Sequence, residues 1–118
     1  MLNPKLKDVW IYRNAIVKEV YDGDTITVDI DLGFDIWAKK QKIRLFGLDT
    51  PEVRGKERPQ GLIVRDLMRK MILGKKIEVH TLQSKKGKYG RWLGVIYLED
   101  ENINEFLINN GHAKKAFY

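Results

Sequence analysis

The chain has 118 residues, 43 % hydrophobic and 32 % charged, enough for one domain with a modest core. Lysine and arginine outnumber aspartate and glutamate 22 to 16, a formal charge of +6 that suits a polyanionic partner without identifying one. Cysteine is absent, which excludes disulfides, thiol chemistry and cysteine-based zinc sites, and no apolar run approaches membrane-spanning length.

The opening Met1-Leu2-Asn3-Pro4-Lys5-Leu6-Lys7-Asp8 lacks the apolar stretch of a secretory leader. A cytoplasmic location is therefore the default expectation, with a secreted form the alternative if a leader has been removed. Residues 1–12 read as a polar lead-in and residues 13–118 as the folded domain. A first strand is expected over residues 14–20, where Ile16, Val17 and Val20 are apolar, and Asp22-Gly23 marks a turn. The next strand alternates: Ile26, Val28 and Ile30 on one face, Thr25, Thr27 and Asp29 on the other. A turn at Asp31-Leu32-Gly33-Phe34 leads through an extended piece or wide loop to a third strand over 41–46.

Pro59 can open a helix. Ile63, Leu67 and Met71 recur at four-residue spacing beside Val64 and Met68, and Gly74 supplies the stop. Residues 76–81 and 91–98 read as two further strands around a polar glycine-bearing loop. Asn102, with Glu105 three residues on, resembles a capping box opening a short helix that ends at Gly111. Three strands, a helix, two strands and a helix is the order of a mainly β, α+β fold: a five-stranded OB-type Greek-key barrel with two short helices.

Asp24 is in phase with Ile26, Val28 and Ile30, so its carboxylate faces inward and needs a partner, either nearby backbone amides or a metal. In Asp49-Thr50-Pro51-Glu52 the proline holds Thr50 extended, which makes its carbonyl a possible ligand. The two carboxylates there can reach one side of the bend, or can be ordinary solvated loop acids. Arg44 and Arg91 can each be a salt-bridged surface residue or half of a phosphate clamp. Lys88-Tyr89 can line a phosphate and sugar, although a basic loop is usually just solvated. His80 and His112 do not have zinc-site spacing, and Trp10, Trp37 and Trp92 read as packing or anchoring rings rather than stacking platforms.

In order and spacing these pieces resemble the staphylococcal nuclease (thermonuclease-like) family. The resemblance rests on Tyr21-Asp22-Gly23-Asp24-Thr25, Ile43-Arg44-Leu45 through Asp49-Thr50-Pro51-Glu52, Lys88-Tyr89-Gly90-Arg91, and Asn104-Glu105-Phe106-Leu107 through Gly111-His112-Ala113-Lys114. It implies a nuclease that cleaves single-stranded DNA or RNA to leave 3′-phosphates. It further implies one calcium ion on Asp24, Asp49 and the Thr50 carbonyl, with Glu52 orienting or deprotonating the attacking water. Arg44 and Arg91 would grip the scissile phosphate, Lys88 and Tyr89 a neighbouring one, and Phe117 would stand where the family stacks a tyrosine near the base. A monomer with no membrane association is expected. The loop from Glu52 to Pro59 is shorter than in the secreted bacterial enzyme, and the family's third helix has no counterpart up to Tyr118. Val9, Trp10 and Ile11 are expected to cover the apolar surface that helix would cover. The competing class is a non-catalytic OB-fold nucleic-acid-binding module, against which the complete set of carboxylates and arginines argues. A protein-protein adaptor accounts poorly for the basic balance.

Overall fold

The computed structural model describes residues 9–86 and 91–116. Five long strands carry the fold: β1 (Val9–Asp22), β2 (Thr25–Asp31), β3 (Trp37–Leu45), β5 (Lys76–Lys86) and β6 (Trp92–Leu98). Helix α1 (Arg58–Ile72) separates β3 from β5, and α2 (Ile103–Asn109) follows β6. The two-residue strands β4 (Leu48–Asp49), β7 (Glu101–Asn102) and β8 (Lys114–Lys115) complete the order. The main sheet runs β3-β2-β1-β5-β6-β7, and a parallel pairing of β3 with β6 brings it back to its first strand. This mainly β arrangement with two helices agrees with the fold expected from the sequence.

β1 starts at Val9, five residues before the expected residue 14. Residues 9–12 are therefore ladder, not lead-in: Val9, Trp10, Ile11 and Tyr12 pair with Leu82, Thr81, His80 and Val79 of β5. A register shift between Tyr12 and Ala15 resets the inside-outside phase at Arg13-Asn14, which erases the period-two signal there. The covering role expected of this segment is only partly met. Tyr12 packs against the core, but Trp10 and Ile11 remain 53 % and 39 % exposed. Deleting residues 1–12 is expected to lower the melting temperature, because it removes four ladder pairs and Tyr12. A melt unchanged from the full chain would show that the segment contributes nothing.

The interior is built from Ala15, Val17 and Val20 of β1, Ile26 and Val28 of β2, Ile43 and Leu45 of β3, Ile77 and Val79 of β5 and Ile96 of β6. Helix α1 begins with proline in its first turn, as expected, but its buried face is Gly61, Val64, Met68 and Ile72. Ile63 is 57 % exposed, so the apolar stripe is rotated from the Ile63-Leu67-Met71 row. Arg69 contributes to this docking: its Nε and Nη2 donate to the Val20 carbonyl at 3.2 and 3.1 Å. Helix α2 opens as its capping pattern predicts, the Asn102 side chain accepting from Glu105 N–H at 3.0 Å. Its second residue, Asn104, is fully buried. Asn104 Oδ1 accepts from Ile96 N–H at 3.0 Å, and Nδ2 donates to the carbonyls of Phe46 and Gly94 at 3.0 and 3.2 Å. One amide thus ties α2, β6 and the end of β3 together, just beyond Arg44.

Candidate active site

A cleft of about 1120 Å³ opens where the turn between β1 and β2, the end of β3, the loop after β4, the start of β6 and the approach to β8 meet. Asp24, Arg44, Asp49, Thr50, Glu52 and Arg91 all line it, although they are spread over 68 positions of the sequence. Lys88, Tyr89 and Phe117 lie outside the described residues.

Asp24 sits at the entrance to β2 and is 6 % exposed, facing inward as the strand phase predicts. Its Oδ2 accepts the Thr50 N–H at 3.0 Å and pairs with Arg44 Nη1 at 3.2 Å, while Oδ1 accepts from the Thr25 hydroxyl at 3.3 Å. A carboxylate so deep needs such partners, because an unpaired buried charge is strongly unfavourable. The turn that places it admits only glycine at position 23. A Cβ there would come within 2.5 Å of Val64 Cγ1 and 2.8 Å of Thr50 Cγ2. Beside it, Asp22 is pushed up to about 7, first by burial and then by the hydrogen bond and charge of Asp24.

Arg44 is held from several sides. Nη1 donates to the Leu45 and Leu48 carbonyls at 3.1 and 3.0 Å, and Nη2 pairs with Asp49 Oδ1. Its guanidinium therefore bridges the carboxylates of Asp24 and Asp49 and fixes the spacing between them. Asp49 is set by β4, whose antiparallel partner β8 lays Lys114 directly opposite it. Arg91, immediately before β6, reaches the Thr25 hydroxyl with Nη1 at 3.4 Å, so both guanidinium-bearing residues line the cleft.

Glu52 is exposed, and its backbone is clamped. Its N–H donates to Glu57 Oε1 at 2.9 Å, and Arg58 Nη1 donates to the Val53 carbonyl at 3.0 Å. Gly61 of α1 lies against the same loop, where a Cβ would collide with the Glu52 carbonyl. Glu57 and Gly61 were not legible in the sequence, since neither belongs to a periodic pattern. Gly61→Ala is expected to cost about 1–3 kcal/mol of stability by overpacking, since the loop carrying Glu52 must move away from the helix. An unchanged melting temperature would show that the loop absorbs the added methyl without cost.

The acceptors around Asp24 are all hard oxygens, the donor chemistry that calcium or magnesium prefers. Thr50 Oγ1 is buried with no hydrogen-bond partner among the described residues. That orphaned hydroxyl and the packing of Asp22 against Asp24 fit a pocket rich in oxygen acceptors. Among the described residues no three His, Asp or Glu side chains group closely enough to hold a metal by themselves. Two carboxylates, a carbonyl and water would have to make up the shell, which a flexible oxygen-ligand cation accepts.

The sequence model of the family described as "Staphylococcal nuclease homologue" matches residues 42–118. The chain belongs to the staphylococcal nuclease family. It is 33 % identical over 109 residues to a thermonuclease of Staphylococcus intermedius, covering 90 % of this chain and 61 % of that protein. It is 34 % identical over 105 residues to a thermonuclease of Staphylococcus hyicus, covering 86 % and 59 %. It is also 33 % identical over 100 residues to a probable staphylococcal-like nuclease of Oryza sativa subsp. japonica, covering 85 % and 29 %. The chain thus spans about six-tenths of the length of the two thermonucleases. The family match includes Arg44, Asp49, Glu52 and Arg91, and Asp24 precedes it.

Proposed function

We propose that the chain is a calcium-dependent nuclease that hydrolyses phosphodiester bonds of single-stranded DNA or RNA, leaving 3′-phosphate ends. The observation that carries this reading is the meeting of Asp24, Asp49, Glu52, Arg44 and Arg91 in one cleft. The names of the thermonuclease relatives support it.

Asp24, Asp49 and the Thr50 carbonyl would hold the cation. When bound it would supply a Lewis acid against the charge that grows on the phosphate oxygens. Glu52 accepts a proton from, or orients, the water that attacks phosphorus. Arg44 and Arg91 donate hydrogen bonds to the non-bridging oxygens as negative charge develops there. The P–O5′ bond breaks, and the new hydroxyl leaves with a proton drawn from solvent or a neighbouring acid.

The test is cleavage of single-stranded DNA and RNA oligonucleotides with calcium, then with chelator, reading both rate and end groups. Calcium-dependent cleavage to 3′-phosphates is the expected result. Salt-sensitive binding without cleavage would overturn the reading in favour of a binding module.

A further inference from the structure

The outer face of the β2-β3 ribbon leads away from the cleft. The cross-strand pairs in order are Thr25 with Arg44, Thr27 with Lys42, then Asp29 opposite a bulge, then Asp31 with Trp37. Arg44, Lys42, Thr25 and Thr27 already line the cleft. Past the bulge, Lys39 Nζ lies 3.5 Å from Asp29 Oδ2 and 5.4 Å from the centre of the Trp37 ring, so lysine and tryptophan continue the same face. The two acids beside this row are engaged internally. Asp29 accepts the Lys40 N–H at 2.9 Å, a contact that with Lys39 holds its carboxyl below the usual range, and Asp31 accepts the Gly33 N–H at 2.8 Å.

The row ends in exposed rings. Trp37 is 42 % exposed, and Phe34, at the hairpin tip, is 96 % exposed on a residue with φ of 57°. Phe34 and Asp35, with φ of 57° and 60°, are the central pair of a tight hairpin turn closed by Ile36 N–H to the Gly33 carbonyl at 2.9 Å, so the turn explains the backbone, and the Phe34 ring it carries packs on nothing among the described residues. Leu32 and Ile36 are exposed beside it, so the tip presents more apolar surface than scattered residues would.

We propose that this face is a binding track for single-stranded nucleic acid. Lys39 and Lys42 take backbone phosphates, and Trp37 and Phe34 stack on bases beyond the cleft. Three features favour this occupant over an apolar protein surface: the row is continuous with a cleft bearing two arginines, lysine and hydroxyl groups run along it, and the chain carries a charge of +6. From Arg44 to Trp37 the strand extends about 20 Å, comparable with the shortest sites of OB-type binders at about four nucleotides. The track gives the proposed nuclease, on whose reading its catalytic role rests, a preference for chains longer than a dinucleotide. It also assigns Trp37 a stacking role that its sequence context did not suggest.

The experiment compares the wild type with Phe34→Ala/Trp37→Ala and Trp37→Phe. It measures binding of a labelled single-stranded 12-mer in chelator, cleavage of the 12-mer and of a dinucleotide in calcium, and mass in solution. The expected result is a Kd and a KM for the 12-mer raised about tenfold or more in the double variant, unchanged dinucleotide turnover, and recovery with Trp37→Phe. Weakened 12-mer binding in a protein that cleaves nothing would still support the track while overturning the nuclease reading. Unchanged binding overturns the track, as does an equal loss on the dinucleotide. A wild type that dimerises through these rings, seen as a mass that the double variant halves, overturns it in favour of a second copy.

Discussion

Glu52→Gln is expected to fold as the wild type does and to lose cleavage by about 10²–10⁴-fold. The structure separates the two effects. The Glu52 side chain is exposed, and the clamp on its loop uses the Glu52 backbone N–H, which glutamine keeps. Glutamine fills the same space but cannot take a proton from water. Melting curves and single-turnover rates on one oligonucleotide measure both quantities. A variant cleaving within tenfold of wild type would remove Glu52 from the chemistry.

The two arginines are expected to fail differently. Both should cost about 10²–10³ in rate, the usual loss for one oxyanion donor. Arg44→Ala should also destabilise the fold by about 3–5 kcal/mol, because it leaves the Asp24 carboxylate buried without its ion pair. Arg91→Ala leaves the buried Asp24–Arg44 pair in place and should melt closer to wild type. Adding Asp24→Asn to Arg44→Ala should recover part of the lost stability and none of the activity. Equal melting temperatures for the two single variants would contradict the buried-pair account.

Much of this was legible because it rests on short-range rules. The inward phase of Asp24 follows from strand periodicity, and the α2 start from its capping residues. The order of strands and helices emerged from turn residues and apolar patterning. Other parts rest on long-range contacts that leave no local trace. The phase of β1 is broken by bulges, so its first half carried no alternation to read. Asp22 was legible only as a turn residue, because its crowding against Asp24 depends on how deeply the turn is buried. The buried face of α1 includes the expected Val64 and Met68 but turns away from Ile63, which is apolar yet exposed, while the closest approach to the loop is made by Gly61, which has no side chain to signal it. The polar run at the end of β5 offered no hydrophobic period, so the strand was expected to stop at Thr81 rather than Lys86.

The parallel pairing of β3 and β6 is what holds the Arg91 side of the cleft against the Arg44 side. It is a short seam, three register positions joining Ile43, Arg44 and Leu45 to Trp92, Leu93 and Gly94. Arg91 stands at its mouth, 66 residues from Thr25 in sequence. Unzipping there would strand one guanidinium away from the other while the β1-β2-β3 meander and α1 stayed folded, a local opening well short of global denaturation. Amide exchange at Phe46, whose N–H crosses to the Gly94 carbonyl at 2.8 Å, measured against Leu45, whose N–H stays bonded to the Asp24 carbonyl within the meander, would report how often the molecule visits that split form.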